Sequence, residues 1–173
     1  MASYTIRPAT LRDAKTIASI DANVSQTVYR QLVPAALFTP QDADARLSFW
    51  REAIEYGEPQ VQVAVAADSA IIGFVGYDRS RDQGSKPTVG EIWALHVLPS
   101  HWSTGAGLAL WDAAREGLAD EGCTQVTVWL PLGNERALRF HELAGFKREL
   151  NSARTVPLDG FRLEEIRLKR ATA

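Results

Sequence analysis

Apolar and polar positions alternate along this chain with two different periods. Over 11–23 the apolar residues recur at helical spacing behind Thr10, a candidate N-cap, and similar spacing predicts a helix over 41–56. The stretch 24–40, with its two prolines, predicts a second short helix followed by a loop. The apolar positions of the first helix are Leu11, Ala14, Ile17 and Ala18.

A period of two replaces the helical spacing in the middle of the chain. It predicts strands at 60–67 and 70–77, joined by a hairpin at Asp68 and Ser69. Later segments alternate strand and helix, and this order predicts one mixed sheet with helices on both faces. Further strands are predicted at Tyr4–Arg7, Glu91–Val97, Gln125–Leu130 and from Phe161 onward, the last interpreted as an amphipathic edge strand.

The segment from Glu91 to Gly107 is the most informative part of the sequence. An apolar strand runs into a small-residue loop with glycines at 105 and 107, and a helix is predicted to begin near Leu108. Backbone N–H groups in the first turn of a helix have no partner inside the helix and lie at the positive end of its dipole. Residues 102–108 are therefore predicted to bind a phosphate-bearing ligand.

Two well-known phosphate loops do not fit this segment. A P-loop needs Lys and then Ser or Thr after its last glycine, where this chain has Leu108. The dinucleotide fingerprint needs a small residue where this chain has Leu110. An alternative interpretation stays open at this point: the glycines only allow a tight turn between strand and helix, and no ligand binds there.

Two motifs carry a resemblance to a known family. They are Trp102-Ser103-Thr104-Gly105-Ala106-Gly107 and Asn134-x-x-Ala137-x-x-Phe140-His141-x-x-x-Gly145-Phe146. Their order and spacing resemble the GNAT superfamily of acyl-CoA-dependent N-acetyltransferases over 90–148, and more loosely over the whole chain. The resemblance implies one GNAT-like domain over 1–173 of α/β (mixed α+β) class, with a mixed, mostly antiparallel sheet of about six to seven strands and helices on both faces.

The resemblance also implies acetyl-CoA as the acyl-donor cosubstrate, with no metal. Its pyrophosphate is expected on the N–H groups of the glycine loop, and its pantetheine arm on strand Glu91–Val97, where that strand splays from Gln125–Leu130. The N–H of Val97 is expected to polarise the thioester carbonyl. The residues expected to bind the cofactor are Leu95, His96, Val97, Trp102, Ser103, Thr104, Gly105, Ala106, Gly107, Leu108 and Asn134.

Acetyl transfer to an amine needs a base to take a proton from the acceptor. Glu91 is the first candidate, because a carboxylate within an apolar strand is unusual. The alternatives are His96, which simple alternation places on the opposite face of the strand, and backbone groups with ordered water. Another interpretation also stays open, in which Glu91 is a strand-end residue that only reaches solvent.

The departing thiol needs an acid. His141 follows Asn134 by seven residues and shares its face of the predicted helix, and it stands where the family most often has tyrosine. A neutral imidazole can donate its ring N–H, so His141 is the candidate acid, with an exposed residue of no chemical role as the alternative. A second departure is Trp102, where the family has Gln or Arg, so we expect a polar loop anchor to be lost.

Composition narrows the choice of partners. The net charge is −2, and without a basic excess neither nucleic acid nor a membrane is expected as a partner. The single cysteine excludes an intrachain disulfide, and with no signal-peptide pattern at the N-terminus it predicts a cytoplasmic protein. The three histidines show no metal-ligand spacing.

The sequence therefore predicts an enzyme that moves the acetyl group of acetyl-CoA to a primary amine of a small molecule or peptide, by direct attack on the thioester. A non-catalytic acyl-CoA sensor or regulatory module of the same fold is the alternative. The acceptor is expected among the helices over 11–56 and the 79–89 loop, since those segments carry no cofactor motif. A homodimer is left open.

Overall fold

The computed structural model describes residues 3–34, 43–158 and 160–173. Four helices and seven strands follow one another in these ranges: β1 (Thr5–Pro8), α1 (Ala14–Leu32), α2 (Ala43–Tyr56), β2 (Gln60–Val65), β3 (Ile71–Arg79), β4 (Val89–Val97), α3 (Ala106–Asp120), β5 (Gln125–Pro131), α4 (Glu135–Leu143), β6 (Lys147–Leu158) and β7 (Phe161–Ala171). Short 3-10 turns precede α1 and follow β4.

The seven strands form one sheet in the order β1-β2-β3-β4-β5-β7-β6. Within the described residues, β4 and β5 run parallel and the other neighbouring pairs run antiparallel. The prediction of a mixed, mostly antiparallel sheet is confirmed. The parallel pair stands out because it lies at the centre of the sheet, where β4 and β5 are joined through α3.

The predicted edge strand from Phe161 is an interior strand, so that prediction was wrong. β7 lies between β5 and β6. Its polar residues face charged side chains of β6 instead of open solvent: Arg167 pairs with Glu149, and Glu165 pairs with Arg154 at 3.0 Å. Polarity on one face of a strand therefore did not mean that the strand was at an edge.

The first helix is longer than predicted. After a 3-10 turn at Leu11–Asp13, α1 runs without a break to Leu32, because buried positions continue at helical spacing through Ile20 and Val24. The predicted boundary at residue 23 was wrong. Two predictions lie partly outside the described residues. They are the 24–40 prediction from residue 35 onward and the first two residues of the predicted helix over 41–56.

Helices cover both faces of the sheet, as predicted. α3 and α4 pack on one face, where their buried residues Leu110, Trp111 and Leu138 join Val75 and Val128 in one core. α1 and α2 pack on the other face in a second core, built from Ile17, Ile20, Trp50, Val63 and Phe74. None of the helices in the described ranges combines the length and the apolar character needed to cross a bilayer.

Candidate active site

The two parallel strands separate part-way along their length. β4 and β5 pair from Val89 with Gln125 to Ile92 with Val128, and the pairing ends there. Beyond that point β4 stays paired with β3, and β5 stays paired with β7. A gap, here called the wedge, therefore opens between 93–97 of β4 and 129–131 of β5. The splay that the family resemblance implied is present.

The backbone of Leu95 and Val97 faces the wedge. Leu98 donates its N–H to the carbonyl of Ile72 in β3 at 2.9 Å. Because backbone groups alternate in direction along a strand, His96 also turns its N–H and C=O toward β3, while Leu95 and Val97 turn theirs away. The expected cofactor contacts of Leu95 and Val97 stay compatible with this geometry, but a backbone contact from His96 does not.

The loop after β4 enters α3 through two residues with left-handed backbone. Ser103 has φ of 60° and Gly105, the N-cap of α3, has φ of 95°. In the part of the chain that the structure describes, the N–H groups of 103–108 donate to no acceptor; Ala109 is the first to bond, to Gly105 at 3.0 Å. Such a row of donors at a helix N-terminus suits a pyrophosphate.

The hydroxyl of Thr104 is used inside the loop. It donates to the carbonyl of His101 at 2.5 Å and accepts from the hydroxyl of Tyr4 at 2.7 Å. Tyr4 comes from the segment just before β1, so a distant part of the chain fixes the loop from behind. Any contact of Thr104 with a cofactor phosphate would therefore use its backbone N–H.

Trp102 supplies a polar anchor, so the expected loss of one was wrong. Its indole N–H donates to the carbonyl of Val97 at 2.7 Å, and the guanidinium carbon of Arg136 in α4 lies 4.0 Å from the centre of its ring. One side chain thus connects the loop to β4 and to α4. The expectation considered only amide and guanidinium anchors, whereas an indole N–H is also a donor and its ring can bind a cation.

The two glycines of the loop serve different purposes. A Cβ on Gly105 would meet nothing within 4 Å, so glycine is favoured there by the left-handed backbone. A Cβ on Gly107 would lie 3.1 Å from Cε1 of Phe140 in α4. Glycine at 107 therefore lets α3 approach α4, the helix on the same face of the sheet.

Asn134 caps α4. Its side-chain oxygen accepts the N–H of Ala137 at 3.3 Å. That oxygen is occupied within the helix, which leaves the amide NH₂ as the group that would meet a cofactor. The contact between Asn134 and the cofactor stays a prediction.

His141 is a buried, neutral histidine. Its residue is 4% exposed and its ring lies between those of Phe140 and Phe146. Its Nδ1 lies 2.8 Å from the carbonyl of Ala137, which requires the proton on Nδ1. Burial lowers its pKa to about 4. Because its N–H is bonded inside the helix, this geometry does not support the predicted acid role.

Glu91 is also buried, but as an ion. It is 2% exposed, and its two oxygens are bound by Arg81, which donates its backbone N–H at 2.9 Å and its guanidinium at 2.5 Å. Arg81 lies on the β3–β4 loop and its guanidinium stacks over Trp93 at 4.0 Å. Glu91 therefore holds this loop against the sheet, and its role as a base stays a prediction.

Glu91 and His96 share a face of β4, contrary to the alternation expected from sequence. The β3 partner of Glu91 is Asp78 and that of His96 is Phe74, two positions of the same parity. An irregularity between the pairs at Gly76 and Tyr77 inserts one extra residue in β4. Both side chains therefore point toward α1 and α2.

The model of the acetyltransferase (GNAT) family matches residues 26–146. The chain belongs to the GNAT acetyltransferase family. The matched region includes the wedge, the glycine loop and α4, so the family motifs and the geometry coincide.

Relatives and solved structures agree with this assignment. The chain is 26% identical over 167 residues to an uncharacterized N-acetyltransferase, YuaI, of Bacillus subtilis (strain 168), which covers 95% of this chain and 88% of YuaI. It is 30% identical over 99 residues to mycothiol acetyltransferase of Paenarthrobacter aurescens (strain TC1), covering 57% of this chain but only 31% of that protein. The chain therefore spans about a third of the mycothiol enzyme's length.

A solved structure of similar fold contains the cofactor. The acetyltransferase YncA of Salmonella typhimurium, determined with acetyl-CoA, superposes with a TM-score of 0.71 at 20% identity, over 99% of this chain and 95% of YncA. At this level of sequence identity, the structural similarity shows that the two chains share a fold.

Sequence reasoning missed Asp21, which the fold of this GNAT family member places opposite His96. Asp21 lies on the buried face of α1 and is 7% exposed. A signal was present, because Asp21 follows Ala14, Ile17 and Ala18 at helical spacing and so occupies a core position. A carboxylate in an apolar stripe is as unusual as one in an apolar strand.

A polar network on the β5 side of the wedge was also missed. Asp82, on the β3–β4 loop, accepts from the indole N–H of Trp129 at 2.9 Å and from Arg167 at 2.9 Å. Arg154 of β6 stacks over Trp129 at 3.6 Å. These residues come from four separate segments, so no local motif could reveal them.

Proposed function

We propose that this chain transfers the acetyl group of acetyl-CoA to a primary amine. The observation that carries the proposal is the wedge with its two sets of backbone groups. The free N–H groups of 103–108 lie at the start of α3, and the backbone of Leu95 and Val97 faces the gap that leads to them. Together they fit a phosphate at one end and an extended, amide-containing arm along the strand.

The cofactor roles follow from these backbone groups. Acetyl-CoA supplies an acetyl group activated as a thioester. The N–H groups of 103–108 would hold its pyrophosphate, and the backbone of Leu95 would align its arm. The N–H of Val97 would stabilise the negative charge that develops on the carbonyl oxygen during direct attack by the amine.

The acceptor would reach the thioester from the side of the sheet covered by α1 and α2. Side chains that point to this side include the carboxylates of Asp21 and Glu91. Amine acceptors are mostly cationic in water. Arg46 and Arg81 already pair with these two carboxylates, so this side of the sheet offers an acceptor side chains of both charges.

The first test is binding. Isothermal titration of the purified chain with acetyl-CoA should give a saturable heat, and CoA without its acetyl group should also bind, because the pyrophosphate contact is shared. The Gly107→Val variant should weaken both. Absence of heat with either ligand from a folded sample contradicts the proposal.

The second test is turnover. Release of free CoA thiol should be followed with lysine, spermidine, a peptide with N-terminal alanine, and an aminoglycoside as acceptors. At least one should accelerate thiol release above the rate of acetyl-CoA hydrolysis, with an acetylated product of the expected mass.

A non-catalytic acyl-CoA sensor is the second candidate, and the state of His141 favours it. The family tyrosine position is filled by a buried imidazole whose N–H is bonded to Ala137. Tight binding of acetyl-CoA with no thiol release for any of the four acceptor classes would support the sensor. Measured turnover would exclude it.

A further inference from the structure

The imidazole of His96 is held from two sides. Its Nε2 lies 3.4 Å from Oδ1 of Asp21 in α1. Its ring packs edge-on against Phe74 of β3, with centroids 5.6 Å apart. The side chain is 25% exposed, and within the described residues its Nδ1 has no hydrogen-bond partner. Nε2 is thus held by Asp21, whereas Nδ1 is open, that is, without a hydrogen-bond partner among the described residues.

Asp21 is built to remain ionised. Its carboxylate accepts from the indole N–H of Trp50 at 2.9 Å, from the hydroxyl of Ser25 at 3.2 Å and from Arg46 at 2.6 Å, in addition to His96. Burial alone would raise the pKa of Asp21, but the hydrogen bonds from His96 and Trp50 and the charge of Arg46 lower it below its ordinary value.

The position of His96 along β4 matters as much as its partner. It directly precedes Val97, whose N–H faces the wedge, and the irregularity in β4 turns the His96 side chain toward α1 and α2. The open nitrogen therefore lies on the side from which an acceptor would approach, next to the expected position of the thioester carbonyl.

We infer that His96 is the catalytic base that takes the proton from the acceptor amine, and that Asp21 is the positioning residue that fixes its ring. This inference rests on the proposed function. In the step, an N–H proton of the acceptor passes to Nδ1 of His96. The nitrogen electron pair forms the C–N bond, and the C–S bond breaks with its electron pair on sulfur. The thiolate takes up a proton from solvent as free thiol, and His96 returns its proton to solvent.

Glu91, the first candidate from sequence, is less suited to this task. Its side chain is 2% exposed, and both of its oxygens are bound by Arg81. An ion that is paired and buried must lose a hydrogen bond before it accepts a proton. His96 needs no such rearrangement, because Nδ1 is open.

The charged and titratable groups around His96 come from three elements. Asp21 and Tyr29 lie on α1, Arg46 on α2, and Glu91 on the same face of β4. Burial raises the pKa of Tyr29, so its hydroxyl stays protonated through the neutral range. The group in direct contact with His96 is the Asp21 carboxylate, whose Oδ1 lies 3.4 Å from Nε2.

A first experiment needs no acceptor. Histidine ring signals are recorded by NMR at one fixed pH, and the His96 signal is identified as the one missing from His96→Gln. In Asp21→Asn it should move and broaden, because the carboxylate that fixes Nε2 is gone. Trp50→Phe is the matched control: it removes one hydrogen bond to Asp21 but keeps the carboxylate, and the His96 signal should stay in place.

A second experiment measures turnover with the acceptor identified in the thiol-release screen. His96→Gln should lower kcat about 100-fold, the usual size of a general-base contribution, with little change in the affinity for acetyl-CoA. The decline of kcat/KM toward acid pH should disappear in that variant. In Asp21→Asn kcat should fall about tenfold with the affinity for acetyl-CoA unchanged, because Asp21 acts by orienting the His96 ring.

The outcomes separate the inference from the proposed function. If the unaltered protein turns over an amine but His96→Gln keeps its kcat and its acid decline, His96 is not the base and acetyl transfer stands. If Glu91→Gln abolishes that decline instead, the carboxylate is the base. If no acetyl-CoA binds to the unaltered protein, both the proposed function and the inference are wrong. Should Asp21→Asn fail to fold, His96→Gln alone decides.

Discussion

The two sides of the wedge are built in different ways. The proposed cofactor side uses backbone groups that are close in sequence, from Leu95 to Leu108, and it depends on glycine and on a helix end. The proposed acceptor side uses side chains from distant segments, with Asp21 on α1, Arg46 on α2 and His96 on β4. A backbone site leaves a local motif in the sequence, whereas a side-chain site assembled by the fold does not.

The largest effect is expected from the buried imidazole of His141. Burial lowers the pKa of His141 from 6.5 to about 4, whereas the unfolded chain keeps an ordinary imidazole. The stability that depends on neutral His141 is therefore fully present above about pH 6.5 and is lost as the pH falls toward 4, by up to about 3 kcal/mol. Chemical denaturation at several pH values should show much of this acid loss disappear in His141→Phe.

The control for that measurement is His101→Gln. His101 contacts Tyr4 at 3.0 Å and is only partly buried, so its replacement should leave the acid loss in place. An unchanged slope in His141→Phe would mean that His141 is charged in the folded protein, and the acid role would be open again.

The next largest effect is expected on cofactor binding. Gly107→Val places a Cβ 3.1 Å from Phe140 and crowds the row of N–H donors. Overpacking of this kind costs about 2 kcal/mol, so the apparent KM for acetyl-CoA should rise ~30-fold. The KM for the acceptor should change little, because the acceptor side uses other elements. An unchanged KM for acetyl-CoA would remove 103–108 from the cofactor site.

The parts of the molecule that could be predicted are those with local causes. The glycine loop, the Asn134 cap and the strand–helix order each follow from residues a few positions apart. The end of α1 and the interior place of β7 could not be predicted, because both depend on tertiary neighbours. The irregularity between β3 and β4 was equally hidden: Gly76 of β3 lies at it, but a glycine in a strand has other causes as well, and the irregularity decides which face His96 occupies.

A smaller effect separates two glycines with the same kind of backbone. Gly105 and Gly122 have φ of 95° and 88°, and a Cβ on either meets nothing within 4 Å. Alanine at each should therefore destabilise the fold similarly, by about 1–2 kcal/mol, from left-handed strain alone. Only Gly105→Ala should also weaken acetyl-CoA binding, because relaxation of its backbone would turn the N–H donors away. Equal affinities in the two variants would show that the loop conformation does not matter for binding.

The smallest effect is expected from two tryptophans in matching arrangements, one at each end of the β4 stretch that borders the wedge. Trp102 donates to Val97 at 2.7 Å under Arg136, and Trp93 donates to Arg79 at 3.4 Å under Arg81, each guanidinium carbon being 4.0 Å from its ring. Phenylalanine removes the N–H and keeps a ring for the cation. Trp102→Phe should lose about 1 kcal/mol of acetyl-CoA binding, roughly fivefold in Kd, because the loop is no longer tied to β4. Trp93→Phe should leave this Kd unchanged in the same titration. An equal rise of the Kd in Trp93→Phe would mean that the two ends of this β4 stretch do not act independently.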